Sequence, residues 1–289
     1  MIRLCMFLGR ITPRRVGWKL AGLIGTMLGT NRSNAMVRAI RANQWVIHDL
    51  TLSEDALDQV PKIIFRSAAK CLFDYFHFLF RVEKLKEIVN YSPQAEAVFE
   101  RIRDHKPCVL VCPHLSNFDL MGYALALKGL DVQVLSFPNP NATYKMQNRL
   151  RKSFGNNITP MSLSAFRQAR MRLRNGGTIL TGLDRPMPDK HHEKYRPVFF
   201  GHETNLPVTY VRMALEADAP VFIMAAASHP KGKYYLESSD PIWMKPAEDL
   251  ETEILTNANR VLRHGEELII KYADQWAMFY PIWPQFLGI

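Results

Sequence analysis

The chain has 289 residues, of which 47% are hydrophobic and 22% are charged. This composition is that of a folded globular protein rather than a disordered one, and the length allows a large buried core. The formal net charge of +10 is concentrated in two segments. Residues 1–50 contain eight Lys or Arg and one acid, and residues 145–174 contain eight and no acid. Such zones predict a phosphate-bearing partner, unless they are only solvated helix faces.

Neither a membrane span nor a signal peptide is expected. The longest uncharged stretch near the N-terminus, from Leu20 up to Arg32, is far shorter than the about 20 apolar residues that a spanning helix needs. Basic residues interrupt any apolar core of a signal peptide. We therefore expect a soluble, peripheral or monotopic protein on the cytoplasmic side of the cell membrane. Four cysteines match no zinc or redox spacing and predict buried side chains in a reducing compartment: Cys5, Cys71, Cys108 and Cys112.

The first hundred residues are predicted to be helical. Apolar residues at helical spacing, with serine caps before them, indicate helices over residues 33–47, 53–80 and 92–104. We expect residues 1–104 to form an N-terminal amphipathic helical region that packs on the core and associates with a membrane.

Strands and helices alternate over residues 105–289. Predicted strands cover 108–113, 132–137, 178–183, 198–200, 220–226 and 234–237, and predicted helices cover 117–128, 142–154, 162–174, 206–217 and 247–273. This alternation predicts an α/β core, a central mixed sheet flanked by helices, with both regions in one structural domain.

The most informative chemistry follows the first core strand. His114 comes at its end, and Asp119 lies five residues later, in the first turn of a helix. In open α/β sheets, ligands bind at this edge. A carboxylate that folds back onto one imidazole nitrogen leaves the other nitrogen as a proton acceptor. The pair is therefore a candidate catalytic dyad, and a hydrogen-bonded structural histidine is the alternative.

Other catalytic patterns are weaker. His191, His192 and Glu193, together with His202, superficially suggest metal ligands, but adjacent histidines rarely bind one ion, so no metal is expected. The sequence has neither a nucleophile elbow nor a phosphate-binding glycine loop.

Residues 113–120, Pro-His-Leu-Ser-Asn-Phe-Asp-Leu, resemble the first block of the lysophospholipid acyltransferase superfamily. They are most similar to its lipid A late acyltransferase branch, which includes phosphatidylinositol mannoside acyltransferases and reads Pro-His-Phe-Gly-Asn-Trp-Glu. Four further blocks follow in the same order, at residues 177–186, 198–201, 212–214 and 274–276. The resemblance covers most of the chain and is densest from about 105 to 280.

Three departures concern the substrates. Residues 136–138 are Ser-Phe-Pro where the branch has Tyr-Arg-Pro, so Arg149 and Arg151 on the next helix are candidates for that arginine's role. Arg185 replaces a glutamine, and residues 279–281 replace a His-Arg-Arg.

The resemblance implies an acyltransferase that moves a fatty acyl group from acyl-CoA or acyl carrier protein to a lipid or glycolipid hydroxyl, without a cofactor. It implies His114 as general base and Asp119 as its partner. Asn117 is a candidate for the oxyanion, Asp184 and Arg185 for the acceptor, and Arg149 and Arg151 for the donor or its phosphates. An anionic membrane surface is the expected further partner, and no nucleic acid is expected.

Several alternatives stay open at the sequence level. A hydrolase could use the same dyad with water as acceptor, and the basic zones are compatible with a non-enzymatic binder of membrane or nucleic acid. The acceptor could be a lysophospholipid, a lipid A precursor, a glycolipid or an aminolipid. The uncharged aromatic tail, residues 275–289, is expected either at a lipid interface or docked on the core.

Overall fold

The computed structural model describes residues 2–140, 142–153, 155–187 and 195–288 of the chain. Its helices are α1 (Ile2–Ile11), α2 (Arg14–Leu28), α3 (Ala35–Ile47), α4 (Glu54–Phe78), α5 (Val82–Ile88), α6 (Pro93–Arg103), α7 (Phe118–Leu127), α8 (Ala142–Ser153), α9 (Leu163–Arg174), α10 (Thr209–Glu216) and α11 (Leu250–Lys271). Its strands are β1 (Val89–Tyr91), β2 (Cys108–Cys112), β3 (Val132–Ser136), β4 (Asn157–Pro160), β5 (Thr178–Gly182), β6 (Val198–Phe199), β7 (His202–Glu203), β8 (Val221–His229) and β9 (Lys233–Ser238).

The central sheet is mixed, as the sequence predicted. Within the described residues, its strand order is β1-β9-β8-β2-β5-β3-β4. Strand β9 runs antiparallel to β8, and the other neighbouring strands are parallel. Apolar clusters cover both faces, one centred on α9, α10 and α11 and the other on α4, α6 and α7. The prediction of an α/β fold flanked by helices is therefore confirmed.

Serine caps start the helices as predicted. The Ser53 and Ser92 hydroxyls accept hydrogen bonds from the Ala56 and Ala95 amides, so α4 and α6 begin one residue after each serine. For α3 the capping residue is Asn34, which accepts from the Met36 amide, rather than the predicted Ser33.

The sequence patterns did not indicate three short strands, β1, β4 and β7. Strand β1 lies inside the region predicted to be helical and adds a parallel edge to β9. Residues 198–200, predicted as a strand of the set, instead contribute β6 to a separate hairpin with β7. Runs of two to four residues are too short to show a periodicity of two, which explains why these strands escaped prediction.

Helix α2 packs on α4 through a row of glycines. A Cβ atom at Gly25 would lie 2.4 Å from the Phe65 carbonyl oxygen, and one at Gly29 would lie 2.6 Å from Lys62 Cα. Any side chain there would push the helices apart. The buried Asp74 carboxylate of α4 fixes the same contact, because it accepts hydrogen bonds from Arg14 and Trp18 of α2, as well as from Tyr234 of β9.

The opposite face of α1 and α2 is apolar and exposed. Ten large apolar side chains on these two helices are each 44–64% exposed: Leu4, Phe7, Leu8, Ile11, Val16, Leu20, Leu23, Ile24, Met27 and Leu28. We call this set the outer apolar face. In the described part of the chain, no helix combines the length and apolar character that crossing a membrane would require.

The C-terminal aromatic tail docks on the core. Trp276 and Trp283 are almost fully buried, and only Tyr280 among the large apolar side chains of residues 276–288 is strongly exposed. Asn43 of α3 holds this segment by donating to the carbonyls of Met278 and Tyr280 and accepting from the Ile282 amide. Of the two alternatives for the tail, the docked one is therefore confirmed.

Candidate active site

His114 lies in a tight loop between β2 and α7. The loop is pinned by the C-terminal segment: the His114 carbonyl accepts from the Ala277 amide, and the Ser116 amide donates to the Gln275 carbonyl. Ser116 adopts a positive φ of 45°, a conformation that is uncommon outside glycine. These restraints hold the imidazole at the carboxyl end of the sheet, the edge at which ligands bind in open α/β folds.

The carboxylate paired with His114 is Asp184. Asp184 Oδ1 lies 2.6 Å from His114 Nδ1, and Oδ2 accepts the His114 backbone amide at 2.9 Å. Trp276 donates its indole N–H to the same Oδ2 at 2.7 Å. Asp184 is fully buried, while the His114 side chain keeps 24% of its surface exposed.

The position of Asp184 follows from strand pairing. Strands β2 and β5 are parallel neighbours in which Cys112 pairs with Gly182. His114 and Asp184 each lie two residues beyond that pair, so both reach the same edge of the sheet side by side.

This arrangement leaves the histidine able to accept a proton. An ionised carboxylate can only accept hydrogen bonds, so Nδ1 carries the imidazole proton and Nε2 keeps a free lone pair. No hydrogen bond to Nε2 is found among the described residues. Asp184 therefore orients the ring, favours the Nδ1–H tautomer, and would stabilise a ring that accepts a proton at Nε2.

The predicted contact between Asp119 and His114 is corrected by the structure. Asp119, in the first turn of α7, instead pairs with Arg151 of α8, whose Nε and Nη2 atoms lie 2.8 and 2.6 Å from Oδ1. Gln147 donates to the other carboxylate oxygen at 3.1 Å. The Asp119 side chain points toward α8 and forms an ion pair with the Arg151 guanidinium. The carboxylate that bonds His114 comes instead from Asp184, just after the neighbouring strand β5.

Arg151 is strongly held in its charged form. Burial, the largest single effect, lowers the pKa of Arg151, but attraction to Asp119 and interactions with Tyr144 and Tyr75 together outweigh burial and keep that pKa above the usual value for arginine. The ion pair lies in the wall of the pocket that also contains His114.

The other predicted site residues are dispersed. Asn117 is buried and caps α7: its Oδ1 accepts from the Leu120 amide, and its Nδ2 donates to the Cys71 carbonyl, so its side chain is already engaged. Arg149 is exposed on α8 and does not share a face with Arg151, because residues two apart on a helix point in different directions. Arg149 and Arg151 were predicted to share one donor site, but Arg151 lines the pocket and Arg149 does not.

Arg185 sits among aromatic rings at the mouth of the pocket. Its guanidinium carbon lies 4.0 Å from the centroid of the Phe137 ring and 4.4 Å from that of Tyr280, and it donates to the Tyr280 hydroxyl. Asp184 and Arg185, predicted together as acceptor-binding residues, thus have different surroundings. The carboxylate faces the interior and the guanidinium faces the opening.

The pocket beneath His114 is large and mostly apolar. It is an open cavity of about 1130 Å³, a volume that includes its solvent-filled mouth. His114, Asp119, Arg151 and Arg185 line its polar end, and apolar side chains line the remainder: Phe118, Met121, Leu125, Val134, Leu135, Ile158, Met161, Leu180, Met224 and Leu236. Such a cavity suits a long apolar ligand with a polar reacting end.

Cys112 lines the same pocket but is a poor nucleophile. Burial raises the pKa of its thiol to about 12, with further contributions from the negative charges of Asp184 and Asp119. The thiol stays protonated at neutral pH, and the thiolate is the reactive form.

Of the residues that superficially suggested a metal site, His191, His192 and Glu193 lie outside the described residues. His202 packs edge-on against Phe286, with ring centroids 5.2 Å apart.

Sequence reasoning missed the pairing of His114 with Asp184 and the part played by Trp276. The signals were present as two short blocks, residues 177–186 and 274–276, that keep the order of the resembled branch. His114 and Trp276 meet at the Asp184 carboxylate because β5 lies beside β2 and because the C-terminal tail folds back onto the sheet. Spacing along the chain predicts neither of these features.

Comparison with known proteins identifies the family of the chain. The family model described as bacterial lipid A biosynthesis acyltransferase matches residues 2–285, which is nearly the whole chain. A search of curated proteins gave no significant match. The matched region contains every group of the His114 site together with the pocket and the N-terminal helices. The chain therefore belongs to the bacterial lipid A biosynthesis acyltransferase family and is an acyltransferase.

Proposed function

We propose that the protein transfers a fatty acyl group from a thioester, carried by coenzyme A or by an acyl carrier protein, to a hydroxyl of a lipid or glycolipid. The observation that carries this proposal is the His114–Asp184 pair at the polar end of a deep apolar pocket. The pocket suits the acyl chain, and the pair suits the removal of a proton from a hydroxyl.

In the proposed step, the acceptor hydroxyl attacks the thioester carbonyl carbon while His114 Nε2 takes its proton. A new C–O bond forms, the C–S bond breaks, and the imidazolium returns the proton to the departing thiolate. Asp184 stabilises the imidazolium during this exchange. General base catalysis of this kind contributes on the order of 10²–10⁴-fold to rate, and the thioester is already activated, so the step needs no metal or cofactor.

The donor's polar part is assigned to the surface of α8. Arg151, fixed by Asp119 in the pocket wall, is positioned to attract the carbonyl oxygen of the thioester. Outside the pocket, Lys145, Arg149 and Lys152 are exposed on an α8 that contains no acid. These cations suit either the phosphates of coenzyme A or an acidic carrier protein.

We assign the acceptor to the part of the site next to Arg185, where a second cavity adjoins the apolar pocket. A more polar cavity, lined by Arg196, Glu203 and Asn205, shares the Phe137 and Arg185 walls with the apolar pocket. Arg185 in this position suits an anionic or hydroxyl-rich headgroup whose reacting hydroxyl lies near His114. Asp184, whose oxygens bind His114 and Trp276, is assigned to positioning rather than to the acceptor.

We propose that the outer apolar face of α1 and α2 lies on the cytoplasmic face of the cell membrane. The exposed side chains Arg10, Arg15 and Lys19 accompany this face. Apolar side chains can enter the acyl boundary while nearby cations contact anionic headgroups, each adding roughly 1 kcal/mol. The site would then receive a lipid acceptor without its leaving the bilayer.

The direct test is transfer of radiolabelled palmitoyl from coenzyme A, and separately from acyl carrier protein, to bacterial total lipid. We expect labelled lipid with the wild type and a loss of about a hundredfold or more with His114→Ala. Label found only as free fatty acid would favour a hydrolase, and no consumption of either thioester would contradict the proposal.

A further inference from the structure

Gly122 lies in the middle of α7, where the backbone conformation does not require a glycine. Its φ is not in the positive range that favours glycine, and glycine is less favourable than every residue except proline inside a helix. The glycine therefore lowers the stability of α7 at a position that lines the pocket. The missing side chain is therefore the feature to explain.

The space beside Gly122 is largely empty. A Cβ atom built at this position has one heavy atom within 4 Å, Asn156 Oδ1, at 3.6 Å. By contrast, a Cβ atom at Gly25 would collide with the backbone of α4. Close helix packing thus accounts for Gly25, whereas Gly122 faces open space in the pocket.

Phe118, Gly122 and Leu125 follow one face of α7 and all line the pocket. Phe118 packs edge-on against His114, with ring centroids 5.3 Å apart. Leu125 is seven residues further along, or about 10 Å deeper at 1.5 Å per residue. Gly122 lies between them, so a chain that enters at His114 and follows α7 must pass it.

Beside Gly122, the Asn156 amide is oriented by its own hydrogen bond. Its Nδ2 donates to the Arg151 carbonyl at 3.2 Å, which leaves Oδ1 facing the space over Gly122. We call the section of the pocket that Gly122 and Asn156 line together the neck. Val134, Leu180 and Ile158 of the sheet line the pocket opposite α7.

We propose that the neck selects the length of the transferred acyl chain, with the absent side chain of Gly122 admitting long chains into the inner part of the pocket. This proposal rests on the proposed acyl transfer, because it assigns the apolar pocket to the donor chain. Bulk at position 122 would close the neck and leave only the outer part of the pocket, beside Phe118, for a short chain.

The test compares hexanoyl, decanoyl and palmitoyl thioesters with the wild type, Gly122→Ala and Gly122→Leu. We expect Gly122→Leu to lower kcat/KM for the palmitoyl donor at least about tenfold while leaving that for the hexanoyl donor near the wild-type value. The alanine variant adds one methyl in ordinary contact with Asn156 and should give a smaller shift in the same direction. Equal effects of Gly122→Leu on all three donors would overturn the proposal.

Leu127→Phe is the matched control. Leu127 is on the same helix, is 38% exposed and does not line the pocket, so added bulk there should leave chain selectivity unchanged. A selectivity change as large as that of Gly122→Leu would mean that perturbing α7 in general, and not the neck, causes the effect.

A binding measurement separates this proposal from the catalytic one. In a His114→Ala background, palmitate and hexanoate are added and the shift in Tm is recorded, since a ligand that binds only the folded state raises Tm. We expect palmitate to stabilise the parent and to lose that effect with Gly122→Leu, even if no transfer activity is found for the wild type. Palmitate stabilising both proteins equally would overturn the neck as a length selector.

Discussion

At the residue scale, Asp119 and Arg151 form a nearly buried ion pair, with side chains 16% and 11% exposed. Two nitrogens of the guanidinium face one carboxylate oxygen, and Gln147 satisfies the other. The Arg151 Nη1 atom donates to Asn148 at 3.0 Å. The pair thus ties the start of α7 to α8 in the wall of the pocket, and we expect it to stabilise the fold.

Removing the charge of Asp119 should destabilise the fold. In Asp119→Asn, Arg151 stays charged and largely buried without its counter-ion, and such a loss costs about 3–5 kcal/mol. We expect the free energy of unfolding, measured by urea titration, to fall by about 3 kcal/mol.

The double variant Asp119→Leu/Arg151→Met supplies the control, because replacing both members of a buried pair by apolar residues is often neutral or stabilising. It should recover most of the lost stability. If Asp119→Asn is as stable as the wild type, the ion pair does not have the structural role assigned here.

At this scale, the predicted partner of His114 was wrong, because Asp184 and not Asp119 bonds its ring. A His-x4-Asp spacing shows that a contact is possible, and Asp119 is near enough to line the same pocket. Which carboxylate reaches the ring depends on the neighbouring strand β5 and on Arg151 competing for Asp119. Both depend on tertiary structure, so spacing alone does not decide the partner.

At the element scale, one face of α2 packs on α4 and the other face is exposed and apolar. Gly17, Gly22, Gly25 and Gly29 bring it into contact with α4, and the other side carries much of the outer apolar face. Exposed apolar area of this extent on a monomer marks an interaction surface. Because the glycines make the contact with α4, substitutions of exposed side chains on the outer side of α2 should leave that packing intact.

An acid placed on the outer apolar face should weaken membrane binding without affecting stability. Leu23 is 61% exposed, and burying a leucine in an apolar phase contributes about 1.5–3 kcal/mol. We expect Leu23→Asp to lower the partition coefficient on phosphatidylglycerol-containing vesicles at least about tenfold, measured by cosedimentation.

Leu163→Asp is the matched control, since Leu163 is 80% exposed but lies at the start of α9, outside the outer apolar face. Equal losses from both variants, or no loss from Leu23→Asp, would contradict membrane contact through α1 and α2.

Prediction from sequence was most accurate for long elements with caps. Helices α4 and α6 begin where their serines indicate, and the main core strands lie where apolar runs indicate. Strands β1 and β4 carry too few residues to show a pattern, and their pairing with distant strands is a tertiary property. The docked tail likewise depends on Asn43, whose partners are more than 200 residues away along the chain.

At the scale of the whole molecule, α4 connects the outer apolar face to the loop that carries His114. Its Asp74 binds Arg14 and Trp18 of α2, and one turn earlier Cys71 accepts a hydrogen bond from Asn117 through its carbonyl. From the other side, the tail supplies Trp276 to Asp184. The His114 site is thus held jointly by the N-terminal helices, the sheet and the C-terminal segment.

The most direct test of the account is single-turnover palmitoyl transfer by Asp184→Asn and Asp119→Asn beside the wild type, at a temperature where circular dichroism shows all three folded. The account predicts that Asp184→Asn lowers the rate of the chemical step by about 10²-fold or more, because an amide no longer fixes the Nδ1–H tautomer or stabilises the imidazolium. It predicts a smaller loss for folded Asp119→Asn. A near wild-type rate for Asp184→Asn, with the large loss falling on Asp119→Asn, would contradict the assignment of Asp184 as the partner of His114.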